Sequence, residues 1–242
     1  MLIITSLVVV LLLVSTIVYV TDIEKNTPVF VSEGNSGLSA LKQAAAHTLT
    51  SALANITNGG NRSVLTDDLN HLKSAVESHS YNAISELNFA QSNTVPYSDG
   101  VWIFQGTDGK GISSVQVDFT LNSTGNSASY YSEYAINVTS SIQISGNYTL
   151  IDENQSQVMV SSKVFNEGKP ASASNLTFYY EQNRTTVWVL VVSTNTIDYG
   201  NGTYLSFFNA QGTIPNGQLP ISVNCVDTRG VSVWANTICL QM

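Results

Sequence analysis

The sequence opens with an apolar segment that no charged residue interrupts. Residues 2–20 contain no charge, and fifteen of these nineteen positions are apolar. As a helix the segment would be about 28 Å long, close to the hydrocarbon thickness of a bilayer. Its apolar side chains surround the whole circumference, whereas a helix on a soluble core has one apolar stripe. The pattern predicts a transmembrane anchor that uses the lipid bilayer as its partner, with residues 1–27 forming anchor and connector.

Two other interpretations of this segment stay open, a cleaved signal peptide and a buried core helix. A signal peptide has a basic n-region, an apolar run of about 7–15 residues and a small-residue cleavage site. Here no Lys or Arg precedes the run, the run is longer, and no such site precedes Thr21. Long domains translocate largely regardless of flanking charge, so the orientation has to come from the rest of the chain.

A helical period begins after a connector that contains Pro28. From Ser36, apolar residues recur at three- and four-residue steps, as they do on one face of a helix. These residues are Leu38, Leu41, Ala45, Leu49, Ala52 and Ile56. Gly59-Gly60 ends this helix, and Thr66 is predicted to be the N-cap of a second one. The second apolar stripe comprises Leu69, Leu72, Val76, Ala83 and Leu87, so residues 28–94 are predicted to form a helical hairpin.

After Pro96 the apolar residues alternate with polar ones, which is the period of a half-buried strand. The predicted strands lie at 115–121, 130–138, 157–165, 175–182, 186–192, 204–208, 221–226 and 231–240. Turn residues separate them at 166–168, 199–202, 215–217 and 227–230. Short strands at this spacing predict an antiparallel β-sandwich within a β-rich region over 95–242. The expected fold class is therefore α+β.

The low charge of the chain narrows the classes of partner. Only 11% of the 242 residues are charged, and the nine Lys and Arg residues are scattered through a chain of net charge −8. Nucleic-acid binding and polybasic lipid binding both need clustered cations, so neither is expected. Serine, threonine and asparagine must provide most of the polar surface instead.

Two features point to a compartment outside the cytoplasm. Asn-x-Ser/Thr sequons, the candidate glycosylation sites, occur at Asn55, Asn61, Asn122, Asn137, Asn147, Asn154, Asn175, Asn183 and Asn201. The only two cysteines, Cys225 and Cys239, lie close together near the C-terminus. An even number of cysteines in an oxidising compartment predicts one disulfide between them.

The residue types that catalysis or metal binding require do not form a recognisable motif. His47, His71 and His79 all fall in the predicted helical hairpin, where positions on the surface or at the edge of the apolar stripe explain them better than a metal cluster across the two helices. A Ser-His-Asp triad needs a nucleophile elbow, and no Gly-x-Ser-x-Gly occurs. We therefore expect no catalytic residue, no metal ligand and no cofactor.

Three further motifs have simple structural interpretations. The adjacent carboxylates Asp152-Glu153 are expected in a turn at a strand edge rather than in a glycosidase-like pair. The segment 108–111 is Gly-rich but lacks the P-loop pattern, and a hairpin turn is predicted there. Tyr130-Tyr131 and Tyr179-Tyr180 could belong to an aromatic binding face, with one member of each pair in the core because strand neighbours point to opposite faces.

Part of the sequence resembles known surface modules. Residues 158–165 followed by Asn166-Glu-Gly-Lys-Pro170, and the closing hairpin at 222–233, resemble the immunoglobulin-like modules of archaeal exported proteins. This resemblance covers about 146–242. The whole arrangement looks like uncharacterised archaeal membrane-anchored surface proteins. An apolar N-terminal helix before a β-sandwich is also similar to archaeal type IV pilins, although Pro28 interrupts what a pilin keeps as one helix.

The resemblance and the pattern together imply a function based on contact. The leading expectation is a membrane-anchored extracytoplasmic structural or adhesive cell-surface protein, with other surface proteins or glycans as partners. The alternative is a subunit of a pilin-like surface filament that assembles with copies of itself. An enzyme or a solute-binding receptor is the third hypothesis, and it would need a deep pocket with convergent polar groups.

Overall fold

The computed structural model describes residues 34–78, 83–125, 129–182, 187–212, 214 and 217–242. The anchor predicted at residues 2–20, together with Pro28, lies outside these residues and stays a prediction. Across the part of the chain that is described, no helix is both long enough and apolar enough to span a membrane.

Two helices come first in the described chain, α1 (Gly34–Thr57) and α2 (Ser63–Ser78), and strands follow. The strands are β1 (Ala83–Gln91), β2 (Val101–Gln105), β3 (Lys110–Gly125), β4 (Ser129–Asp152), β5 (Gln155–Asn166), β6 (Lys169–Pro170), β7 (Ala173–Glu181), β8 (Trp188–Leu190), β9 (Asn195–Asp198), β10 (Thr203–Gln211), β11 (Gln218–Asp227) and β12 (Ser232–Gln241). The expected β-rich α+β class is confirmed at this level.

The long strand β4 connects the two halves of the sheet. Its first half pairs with β3, which carries β1 and β2 on its other edge, and its second half pairs with β5. From β4 the hydrogen-bonded order runs through β5 and β10 to β9 on one side, and through β12, β11 and β7 to β8 on the other. The expected all-antiparallel pairing is wrong at one place, because β12 runs parallel to β4 at Leu240 and Gln241.

Strands that are distant in this order face each other across the core. Phe178 of β7 lies against Phe208 of β10, with ring centroids 5.8 Å apart. Ala173 N donates a hydrogen bond of 2.8 Å to Tyr204 Oη, which connects the same two strands. The β7–β11–β12 part of the sheet therefore packs face to face with the β5–β10 part, and apolar side chains fill the space between them.

The helices cover the other end of the core. The apolar face of α1 is fully buried at Ala45, Leu49 and Leu53, and α1 contacts β3, β4 and β12. At its C-terminal end, Ser232 N donates a hydrogen bond of 3.0 Å to Thr57 Oγ1. Nearer its N-terminal end, the ammonium group of Lys42 lies 5.0 Å from the ring centroid of Tyr134 on β4.

The second helix differs from its prediction at both ends. It begins at Ser63 rather than after Thr66, because Asn61 is the cap and its Oδ1 accepts a hydrogen bond from Ser63 N. It ends at Ser78, so the predicted continuation through Ala83 and Leu87 is wrong. Both residues belong to β1, which pairs with β3 along its whole length. A four-residue step between apolar residues equals two strand periods as well as about one helical turn, which explains the error.

We predict that Leu49→Ala destabilises the folded chain by about 2–5 kcal/mol, because it leaves a cavity between α1 and the sheet. Gln43→Ala on the exposed side of the same helix is the control, and its effect should stay within about 0.5 kcal/mol. Urea unfolding of the full chain in detergent, followed by circular dichroism, measures both. Equal effects of the two substitutions would contradict the packing of α1 on the sheet.

Candidate functional site

The two described histidines are on helix surfaces and do not converge with acidic groups. His47 on α1 and His71 on α2 are both exposed, while His79 lies outside the described residues. Within the described ranges, no group of three or more His, Cys, Asp or Glu side chains is placed to hold a metal ion. The surface positions predicted for His47 and His71 are confirmed.

The two turn predictions are confirmed as well. Asp152 and Glu153 are exposed at the turn that connects β4 to β5. The segment 108–111 contains the tight connection between β2 and β3, where Gly109 adopts a positive φ of 84°. Lys110 Nζ lies 3.2 Å from Asp108 Oδ2 there, and its hydrogen bond lowers the pKa of that exposed carboxyl.

The predicted disulfide between Cys225 and Cys239 is absent, since both thiols are free and buried. In the β11–β12 ladder Cys225 is opposite Val233, whereas Cys239 is opposite Leu219, six positions further along. Six residues of strand span about 20 Å, and bridged cysteines have Cα atoms within about 7 Å of each other. The two cysteines are therefore close in the sequence but far apart in the structure.

We predict that the native protein shows no reactive thiol and that the denatured protein shows two. Burial raises the pKa of both Cys225 and Cys239 to about 12, so neither forms an appreciable thiolate at neutral pH. A thiol count with a chromogenic disulfide reagent, before and after addition of guanidinium chloride without reductant, checks this. A count of zero free thiols in the denatured protein would show that the two cysteines form a disulfide.

The sequon asparagines are mostly accessible. Asn147 is half-buried and Asn183 lies outside the described residues. The exposed ones are Asn55, Asn61, Asn122, Asn137, Asn154, Asn175 and Asn201. They are distributed over α1, the α1–α2 connection, the sheet and its turns, so modification would not be confined to one face.

A partly buried ion network joins three segments near the C-terminal end of α1. Asp227, which is fully buried, accepts hydrogen bonds from Arg229 N, Val231 N and Arg229 Nε at 2.8, 3.0 and 2.9 Å. Arg229 also donates to Glu167 Oε1 at 2.7 Å and to the carbonyl oxygen of Thr139 at 3.1 Å. The network thus connects the β11–β12 turn to the β5–β6 turn and to β4.

The local backbone favours this arrangement. Asp227 and Gly230 close a tight turn, in which Gly230 has a positive φ of 84° and Gly230 N donates to the carbonyl oxygen of Asp227. Burial opposes the charge of Arg229, but its hydrogen bonds to Glu167 and Asp227 outweigh this and raise the pKa of Arg229. The guanidinium group therefore stays charged and its role is structural.

We predict that Arg229→Met destabilises the fold by about 3 kcal/mol, because it leaves the Asp227 carboxylate buried without its cation. Lys110→Met is the matched control, since it removes an exposed ion pair with Asp108 and should cost at most about 1 kcal/mol. Urea unfolding at neutral pH measures both. A result in which the two substitutions cost the same would show that the network does not hold the turns together.

The outer face of the β8–β7–β11–β12 layer carries unusually exposed apolar side chains. Trp188, Leu190, Ile238 and Leu240 are each between 43% and 58% exposed. Beside them, Tyr179 of β7 and Trp234 of β12 pack together over β11, with ring centroids 5.6 Å apart. This set of residues is called the outer face below, and it offers an aromatic surface with little charge.

One of the two tyrosine pairs has one buried and one exposed member, as predicted, and the other pair does not. Tyr180 is 5% exposed and belongs to the core, whereas Tyr179 belongs to the outer face, which confirms the prediction for that pair. Tyr130 and Tyr131 are both exposed, at 36% and 62%, so the prediction that one of them is buried is wrong. They lie at the start of β4, where the strand extends beyond the core.

A cleft of about 600 Å³ opens where the chain crosses from β8 to β9. Residues 189–195, called the crossing segment here, run from the end of β8 to the start of β9 and form one wall, and the end of β10 with Gln157 of β5 forms the other. The core residues Tyr180 and Phe208 line its floor. Among the described residues its polar side chains are uncharged, namely Gln157, Tyr180, Ser193, Asn195, Asn209 and Gln211. Sequence patterns could not indicate this cleft, because its walls come from four separate segments.

Comparison with models of known protein families gives no match for this chain, and comparison with curated protein sequences gives none either. The class is therefore defined by the fold of the described residues: a β-rich α+β arrangement in which two helices cover one end of a twelve-stranded sheet. Its surface combines an aromatic outer face with an uncharged cleft.

Proposed function

We propose that this chain is a membrane-anchored extracytoplasmic structural or adhesive cell-surface protein that acts by contact rather than by catalysis. Residues 2–20 are the anchor in this proposal, and the helices and sheet form the part outside the cytoplasm. The observation that carries it is that the N-terminal part of α1 and the cleft lie beside widely separated parts of β4.

This placement follows from the contacts along β4. Lys42, near the start of α1, contacts Tyr134, while Gln157 of the cleft is paired with Thr149. Those two β4 residues are fifteen positions apart, which corresponds to about 50 Å of strand. The predicted anchor is joined to α1 at its N-terminal end. A chain held there would present the cleft and the neighbouring outer face away from the bilayer.

The chemistry of the distal end favours contact. Large exposed apolar surfaces on soluble proteins commonly mark interaction sites, and aromatic residues are enriched at such sites. The outer face has this character at Trp188 and Leu190, and it continues across β7 to Tyr179 and Trp234. Partners recognised here would be other surface proteins or glycans.

Glycosylation and an immunoglobulin-like topology are further parts of the proposal. The accessible sequon asparagines support the first, because an attached glycan needs a solvent-facing amide. The face-to-face packing of β7 with β10 supports the second, since immunoglobulin-like domains are built from two such layers. The parallel contact of β12 with β4 and the long β3–β4 ladder are additions to that topology.

A pilin-like filament subunit is the second candidate, and the position of α1 favours it. The helix lies against the sheet and is the first described element after the apolar N-terminal region, although a connector containing Pro28 separates the two. In that case the apolar segments of many copies would pack together in a filament core instead of remaining in lipid.

We predict that deletion of residues 1–27 yields a soluble chain with the circular dichroism spectrum of the remaining fold, whereas the full chain stays in the membrane fraction after carbonate extraction. The full chain should leave the membrane only with detergent, because about twenty apolar residues hold it there. Aggregation of the truncated chain would mean that the apolar segment belongs to the protein core. Long filaments that contain the full chain on cells would favour the pilin-like alternative.

A further inference from the structure

We propose that the cleft between the β8–β9 crossing and the end of β10 binds a neutral saccharide. The inference rests on the proposed adhesive function and names the class of ligand for its distal end. Four carboxamide side chains on two sides of the cleft, together with the absence of any charged side chain among the described residues of its lining, point to this ligand.

The carboxamide side chains of the cleft are unpaired among the described residues. No hydrogen bond connects the side chains of Gln157, Asn195, Asn209 or Gln211 to any other residue in the described ranges. Some carboxamides elsewhere are engaged: Gln91 donates to Thr66 Oγ1, and Gln105 donates to Asn236 Oδ1. A free carboxamide offers two donors and one acceptor oxygen. This combination matches sugar hydroxyls, which both donate and accept.

The apolar part of the cleft suits the carbon face of a sugar ring. Leu190 and Val192 on the crossing segment are 50% and 95% exposed, and Phe207 on the opposite wall is half-buried. Binding sites for small molecules combine such apolar walls with a few polar groups that fix orientation, in volumes of about 300–1,000 Å³. The volume of about 600 Å³ lies within this range.

The lining also decides between charged and neutral saccharides. A sulfated or carboxylated sugar would need a cation, whereas the described lining residues offer amides, two hydroxyls, and aliphatic and aromatic side chains. The chain as a whole carries a net charge of −8, which adds a general repulsion of anions. A neutral saccharide needs no cation and is not repelled by the net charge of the chain.

An extended peptide is the competing ligand, because the β9–β10 ladder stops at Phe207 and leaves the last part of β10 without a strand beside it among the described residues. Backbone groups that face this edge belong to alternate residues, here Phe207, Asn209 and Gln211. Phe207 is paired with Asn195, and Gln211 N already donates to Tyr180 Oη at 3.2 Å. Only Asn209 is left for an added strand, which is too short for a ladder.

The test uses the full chain in detergent micelles on an array of neutral and anionic oligosaccharides, followed by calorimetric titration of the neutral saccharide that binds best. Gln157→Ala and Asn209→Ala should each weaken binding about three- to tenfold, the range for loss of one neutral hydrogen bond. Ser193→Phe should abolish binding by filling the cleft. Gln43→Ala, which removes an exposed carboxamide of α1, should leave the affinity unchanged.

Several results would overturn the proposal. They are failure of every neutral saccharide to bind at about 1 mM, tighter binding of the anionic ones, and equal affinities of the wild type and the three cleft variants. Binding of an uncharged extended peptide that the same variants abolish, without saccharide binding, would assign the cleft to a peptide instead. Melting curves of the variants separate lost binding from lost folding. The membrane-extraction experiment is independent of all these results, so failure of this inference leaves the anchor proposal intact.

Discussion

The buried carboxylate of Asp227 is the constraint on which the arrangement of the turns depends. An ion removed from water must be compensated by hydrogen bonds and an opposite charge, or it costs several kcal/mol. Two backbone N–H groups of its own turn and the guanidinium of Arg229 supply this compensation. Arg229 also binds Glu167 and the Thr139 carbonyl. The guanidinium that compensates Asp227 therefore also holds the β11–β12 turn against β4 and the β5–β6 turn.

The C-terminal end of α1 is hydrogen-bonded to the turn that contains Asp227. Asn58, just after α1, donates to the carbonyl oxygen of Gly230 in the Asp227 turn, and Thr57 accepts from Ser232. The helical end and the sheet therefore meet at one polar junction, while apolar packing dominates on either side of it. Since β4 continues from this junction to the cleft, the position of the distal end relative to α1 is a consequence of the same network.

Local signals in the sequence were sufficient for part of this fold. The stripe of α1 and the alternation in β3, β5, β10 and β12 are repeated over enough residues to determine the element, and turn residues marked the 227–230 connection correctly. At Ala83 and Leu87 the apolar spacing fits both a helix and a strand, so the local pattern could not determine the element. Pairing with β3 makes this segment a strand. The separation of Cys225 from Cys239 depends on strand register, which spacing in sequence does not reveal. The ion network and the cleft arise from residues far apart in the chain, such as Glu167 with Arg229, and only the tertiary structure brings them together.

In the proposed function, the chain is held at the α1 end and presents the cleft outside the cell. Ser193→Cys tests it most directly, because Ser193 lines the cleft and is exposed, while both natural thiols are buried and unreactive. Intact cells that produce the full chain are treated with a membrane-impermeant maleimide. The account predicts that the variant is labelled as fully on intact cells as after lysis, and that the wild type is not labelled in either case. Labelling that appears only after lysis would place the cleft inside the cell and contradict the claim.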